Sequence, residues 1–301
     1  MSAAVLIGLD WGTSGARAYR IAAGGAIVDV RESVNGLQNL GDLTFAAAFD
    51  RLLGDWRELP LPRIAAGMVG SRNGWLEVPY VDAPATIGAL AGGIRATPGG
   101  ELAIVPGVIT RDAGGTPDVM RGEETELFGA LDDIADDALL VMPGTHSKWV
   151  LARAGRIVDF ATYMTGEMYA VMLQHSILGR FNQPGGEPGE AALLRGVEHG
   201  LRAGAIAHDF FAARTLVLSG ELAPADVADF LSGLLIGREV RDGRQWARDR
   251  GDTLSSVGVA GADALAGRYV RALMHAGIAA RPIPRAAARG LYRIARAANL
   301  I

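Results

Sequence analysis

Leu9-Asp10-Trp11-Gly12-Thr13-Ser14-Gly15-Ala16-Arg17-Ala18-Tyr19-Arg20 decides the fold, because its outline returns at Met142-Pro143-Gly144-Thr145-His146-Ser147-Lys148-Trp149-Val150-Leu151-Ala152-Arg153. In the first copy an apolar run at 5–9 meets a Gly/Ser/Thr turn and alternation resumes at 16–21. Ala23-Gly24-Gly25 then reverses the chain, and a third strand follows at 26–30. The second copy repeats the order, with strands at 139–142, 149–152 and 156–159. The match extends to the strings Gly25-Ala26-Ile27-Val28-Asp29 and Gly155-Arg156-Ile157-Val158-Asp159. The Gly-Thr turns are 132 residues apart and the strings 130, so only the hairpin turn differs in length. A repeat at about half the chain is too long for a solenoid and fits two related domains.

Working outward, an amphipathic helix is expected at 45–53, a strand at 64–69, a strand at 102–105 and a helix at 123–131. The Gly- and Pro-rich region at about 70–100 reads as a substrate-facing insertion. Helices are expected at 191–211 and 224–241, a strand at 257–260, and helices at 262–276 and 287–298. An acidic link at 132–137 divides the chain into expected domains 1–132 and 133–301.

The 301 residues include 50% apolar and 21% charged, enough to bury a sizeable core. A net charge of -4 offers no basic field for a nucleic-acid backbone, so nucleic acid is not an expected partner. The absence of cysteine excludes disulfide and thiolate chemistry and suits a reducing compartment. The N-terminal apolar run lacks a preceding Lys or Arg and stops at Asp10, so it reads as a strand. No apolar run approaches the ~20 residues that cross a bilayer. A cytoplasmic protein without a membrane partner is expected.

A strand ending in Asp and entering Gly-Thr-Ser suits a nucleoside triphosphate. Asp10 can hold Mg²⁺ through water, and the N–H groups and hydroxyls of Gly12, Thr13 and Ser14 can reach phosphate oxygens. Arg17 could add positive charge. A lone Asp-x-Gly-Thr reads as an ordinary polar turn; the second copy, Gly144-Thr145-His146-Ser147-Lys148, shifts the reading to a duplicated phosphate clamp. The five histidines show no metal-ligand spacing. His146 reads either as a phosphate donor or as a structural hydrogen-bonding residue, and Thr165-Gly166-Glu167 as a further stretch near the nucleotide.

This layout resembles the sugar kinase and actin-like ATPase superfamily. The resemblance implies an α/β fold of two ribonuclease-H-like domains, mixed sheets flanked by helices, with ATP and Mg²⁺ in the cleft between them. The superfamily's adenosine motif corresponds to Val257-Gly258-Val259-Ala260-Gly261-Ala262-Asp263, with Gly261 at the turn. Four segments narrow the resemblance. They are Gly67-Met68-Val69-Gly70-Ser71-Arg72-Asn73-Gly74-Trp75, Pro117-Asp118-Val119-Met120-Arg121-Gly122-Glu123-Glu124-Thr125, Pro143-Gly144-Thr145-His146-Ser147-Lys148-Trp149 and Phe230-Leu231-Ser232-Gly233-Leu234-Leu235-Ile236-Gly237. Together they are similar to the 2-dehydro-3-deoxygalactonokinase family, which implies phosphorylation of 2-keto-3-deoxygalactonate at its 6-hydroxyl by ATP, a step of galactonate catabolism. Ser14-Gly15-Ala16 departs from the expected continuation of the first turn but keeps its phosphate-contacting positions.

A sugar acid needs a cation for its carboxylate. Arg72 with Asn73 is the first candidate clamp and Arg121 the second; Trp75 reads as a packing residue. The resemblance places the base, a carboxylate, at the start of the helix before the second hairpin, where Glu123 comes first, Glu124 second and Asp118 third. The two glutamates could equally complement the helix dipole. A non-catalytic nucleotide-dependent switch protein and a kinase for another sugar acid are the competing readings. A homodimer is the default assembly.

Overall fold

The computed structural model describes residues 3–134, 137–183 and 189–301. The chain divides into two units. The first comprises Met1–Asp137, Ala152–Asp159 and Pro284–Ile301, and the second Ala138–Leu151 and Phe160–Ile283.

The first unit opens with β1 (Ala4–Trp11), β2 (Ala16–Ala22) and β3 (Ile27–Ser33), an antiparallel meander in which Asp10 faces Arg17 across the turn. Helix α1 (Phe45–Leu53) starts where Thr44 accepts from the Ala47 N–H and buries Ala48, Phe49, Leu52 and Leu53 along one face. Strand β4 (Arg63–Gly67) then lies parallel to β1. The region expected as an insertion holds β5 (Val81–Asp82), β6 (Ala85–Thr86), helix α2 (Ile87–Gly93) and β7 (Arg95–Ala96). Strand β8 (Ala103–Ile104) completes a sheet of order β3-β2-β1-β4-β8-β7. A second hairpin, β9 (Val108–Arg111) with β10 (Pro117–Met120), joins β5 in a small sheet and leads into helix α3 (Glu123–Ala130).

The second unit is built around β11 (Asp137–Met142), β12 (Ser147–Arg153) and β13 (Arg156–Tyr163), whose first residues cluster with the first unit. Helix α4 (Thr165–His175) follows. The helix expected over 191–211 is interrupted: α5 (Glu190–Leu201) ends at Arg202, and short α6 (Ile206–Asp209) and α7 (Ala212–Leu218) follow. Arg202 takes up extended backbone, and Gly204, which would cost about 1 kcal/mol relative to alanine inside a helix, favours the break. Helix α8 (Val227–Asp249) is the buried spine of this unit, followed by β14 (Val257–Ala260), α9 (Asp263–His275) and β15 (Ala280–Ile283). The strands run in the order β15-β14-β11-β12-β13, with β14 parallel to both β11 and β15. Among the described residues no helix is long and apolar enough to cross a membrane.

The chain then returns to the first unit as α10 (Ala287–Ala297). The expected cut at 132/133 falls near the first crossing, at Asp137, but a single cut leaves α10 on the other side. The reason is packing. A Cβ on Gly290 would collide with the Thr125 carbonyl of α3, so only glycine lets these helices cross so closely. Leu291 also lies against Gly8 of β1.

Candidate active site

In the first unit Asp10 sits half-buried at the end of β1, beside a turn closed by Gly12 N–H donating to Gly15 O at 2.9 Å. The turn is anchored by its carbonyls. Leu37 N–H donates to Gly12 O, Gln38 N–H to Thr13 O, and Asn39 Nδ2 to Ser14 O. Thr13 and Ser14 are exposed. Asp10, Gly12, Ser14 and Arg17 line one concavity. Arg17 is partly committed, donating from Nε to Glu32 at 2.6 Å.

Burial raises the Asp10 pKa; Arg17 and Arg285 pull it down, and Glu123 pushes it up. Glu123 is half-buried at the start of α3, accepting from Arg121 N–H at 3.0 Å. Glu124 differs: it has no exposed surface, and its oxygens are taken by Gly122 N–H at 2.7 Å and the Thr125 hydroxyl at 3.1 Å. Burial, then the charge of Glu123, pushes its pKa to about 8. Glu126 escapes the sequence reading. Burial and the charge of Asp10 push its pKa to about 7, and its Oε1 is buried without a hydrogen-bond partner among the described residues. Its i, i+3 spacing from Glu123 is the available signal. Asp118 stands on β10 opposite Thr110.

Arg72 and Asn73 are exposed at the tip of a turn closed by Gly74 N–H donating to Ser71 O at 2.8 Å. Trp75 anchors that turn by packing on Trp11 and Phe49, with ring centroids 6.5 and 5.4 Å away, which is the packing role expected of it. Arg121 donates to Val78 O at 2.8 Å and lies 4.3 Å from the Tyr80 ring, while its Nε and Nη1 are buried without partners among the described residues.

In the second unit Thr145 and His146 are exposed on the turn after β11, and His146 Nε2 is 2.5 Å from Glu167 Oε2. Lys148 is only 4% exposed, with Nζ 3.3 Å from His146 O, so its charge lies behind the turn. Gly166, in the first turn of α4, packs so closely on Gly144 that a Cβ there would collide with the Gly144 carbonyl. Gly261 closes the other side, its side-chain position 3.3 Å from Pro143 O.

Beside this turn a cavity of about 220 Å³ is lined by Gly144, Thr165, Tyr169, Leu235, Arg268 and Tyr269, among others. Arg268 is fixed by an ion pair with Asp229. Apolar walls with a few polar groups suit a nucleoside base. Gly144, Thr165, Gly166 and the segment with Ser232, Leu235 and Ile236 stand out in the sequence, whereas Tyr169, Arg268 and Tyr269 come from helices far apart in the chain. Among the described residues no cluster of three acidic or histidine side chains forms a metal cage.

A family model described as 2-keto-3-deoxy-galactonokinase matches residues 10–294. The 2-dehydro-3-deoxygalactonokinase of Escherichia coli (strain K12) is 39% identical over 241 residues, covering 80% of each chain. A relative from Rhizobium meliloti (strain 1021) bearing the same enzyme name is 35% identical over 96% of each chain. A crystal structure of a Sinorhizobium meliloti protein described by that enzyme name superposes with a TM-score of 0.88 at 34% identity, covering 97% of this chain and 98% of that one.

Proposed function

The chain belongs to the 2-keto-3-deoxy-galactonokinase family, and from that membership we propose how its residues divide the work of an ATP-dependent 2-dehydro-3-deoxy-D-galactonate 6-kinase. The observation that carries the division is the meeting of Asp10, Glu123 and Glu126 charges at the end of β1, beside an exposed phosphate-type turn.

Phosphoryl transfer asks for positioning, charge neutralisation and a base. Glu123, half-buried and within electrostatic reach of Asp10, takes the proton of the 6-hydroxyl. Glu124 cannot, because both its oxygens are enclosed in its own turn. Arg72, exposed on a turn held by Trp75, receives the sugar-acid carboxylate with Asn73 beside it, while the half-buried Arg121 is tied to Val78 O. The Gly12, Thr13 and Ser14 turn contacts phosphate oxygens, as do Gly144, Thr145 and His146 of the second unit, while the α4-α8-α9 cavity takes the base.

An acidic locale in which burial and like charge hold Asp10 and Glu126 above their ordinary pKa values, Glu126 with an orphaned oxygen, fits a divalent cation. Asp10 would hold Mg²⁺ largely through water, there being no all-protein cage among the described residues. The ion supplies charge neutralisation at the phosphate oxygens. Small soluble substrates and an acidic net charge support cytoplasmic work without a nucleic-acid partner.

The test is ADP release from MgATP with a panel of sugar acids. Turnover is expected to be fastest with 2-keto-3-deoxygalactonate; a faster rate with the gluconate epimer would refute the substrate assignment, and silence with all would refute the kinase.

A further inference from the structure

Glu239, in the middle of α8 and 1% exposed, takes no part in the chemistry above, yet donors on three other elements converge on it. Ser147 Oγ donates to Oε1 at 2.6 Å and Trp149 Nε1 to the same oxygen at 2.9 Å, both from β12. Tyr269 OH of α9 donates to Oε2 at 2.6 Å, and the Thr165 hydroxyl of α4 is the fourth partner. An ionised carboxylate accepts at about four sites, so the four donors match it. Burial raises its pKa, and the four hydrogen bonds oppose that rise.

The identity of the donors matters more than their number. Ser147 directly follows the Gly144-Thr145-His146 turn, and Oε1 holds that strand. Thr165 and Tyr269 line the cavity, and Oε2 holds the Tyr269 wall. A merely apolar plug in this position would fill the same space without tying the turn to the wall.

We propose that Glu239 is a positioning residue that locks the second phosphate turn and the wall of the base cavity into one geometry, so that nucleoside and phosphate binding are coupled through it. The inference rests on reading that cavity as the nucleotide site.

Removing Glu239 itself would take the shared carboxylate from four buried donors at once, although Tyr269 also hydrogen-bonds with Ser147 and Thr165, so the test uses Ser147→Ala, Tyr269→Phe and their double variant in the full chain, each checked for cooperative unfolding. Each single change should raise the KM for ATP about tenfold, as expected for a bond to a charged group, with the KM for the sugar acid within about twofold. The double variant should lose about as much as either single one, since both break the same link. Effects that multiply, an unchanged ATP KM, or equal rises for both substrates would overturn the proposal. Leu235→Trp, which fills the cavity, separates the two readings. An unchanged ATP KM in that variant would sink the cavity assignment, whereas a raised one with silent Ser147→Ala and Tyr269→Phe would sink the role of Glu239 alone.

Discussion

Glu124→Gln should make the protein more resistant to alkaline pH while leaving turnover intact. The wild-type carboxyl titrates near its ordinary 4.5 when unfolded and at about 8 when folded. The folded state therefore holds a proton that the unfolded state has released. Stability from this group is complete below pH 4.5 and is lost as pH rises to about 8, at roughly 1.4 kcal/mol per pH unit. Glutamine resembles the protonated acid: its oxygen can accept from Gly122 N–H and its amide can donate to Thr125. The difference in unfolding free energy, variant minus wild type, should thus climb by roughly 2–3 kcal/mol between about pH 5.5 and 7.5 and level off above about 8. Urea unfolding across that range measures it. A pH-independent difference would refute the buried, neutral Glu124, and a collapse of turnover would return the base role to it.

Asp10→Ala should abolish Mg²⁺-dependent turnover with an unchanged circular dichroism spectrum; retained activity would relocate the metal carboxylate. Glu123→Gln should lower kcat by ~10²–10⁴-fold with little change in the KM for ATP, measured by coupled ADP assay. Arg72→Ala should raise the KM for the sugar acid ~10- to 100-fold, as loss of a charged pair does, and leave the KM for ATP alone.

Local signals are readable in the sequence. The two hairpins emerge because a Gly-Thr turn between alternating strands needs no distant partner, and α1 carries both its Thr44 cap and its apolar face within its own short span. Long-range features are not. The return of α10 depends on Gly290 meeting Thr125, which no local pattern encodes. The strands β9 and β10 are short and partly exposed, and β15 contains Pro282, which masks it. The cavity draws on α4, α8 and α9, so its parts at Gly144, Thr165 and Ser232 to Ile236 are visible in the sequence but their meeting is not. Glu126 is visible as a spacing, but its burial is not.

The placement of α10 also bears on biosynthesis. The face of β1 around Gly8 is closed by Leu291, and α3 by Gly290, yet both residues leave the ribosome only after the whole second unit has been made. The first unit is started before the second but finished after it, so the face that Leu291 covers is completed only once translation reaches α10.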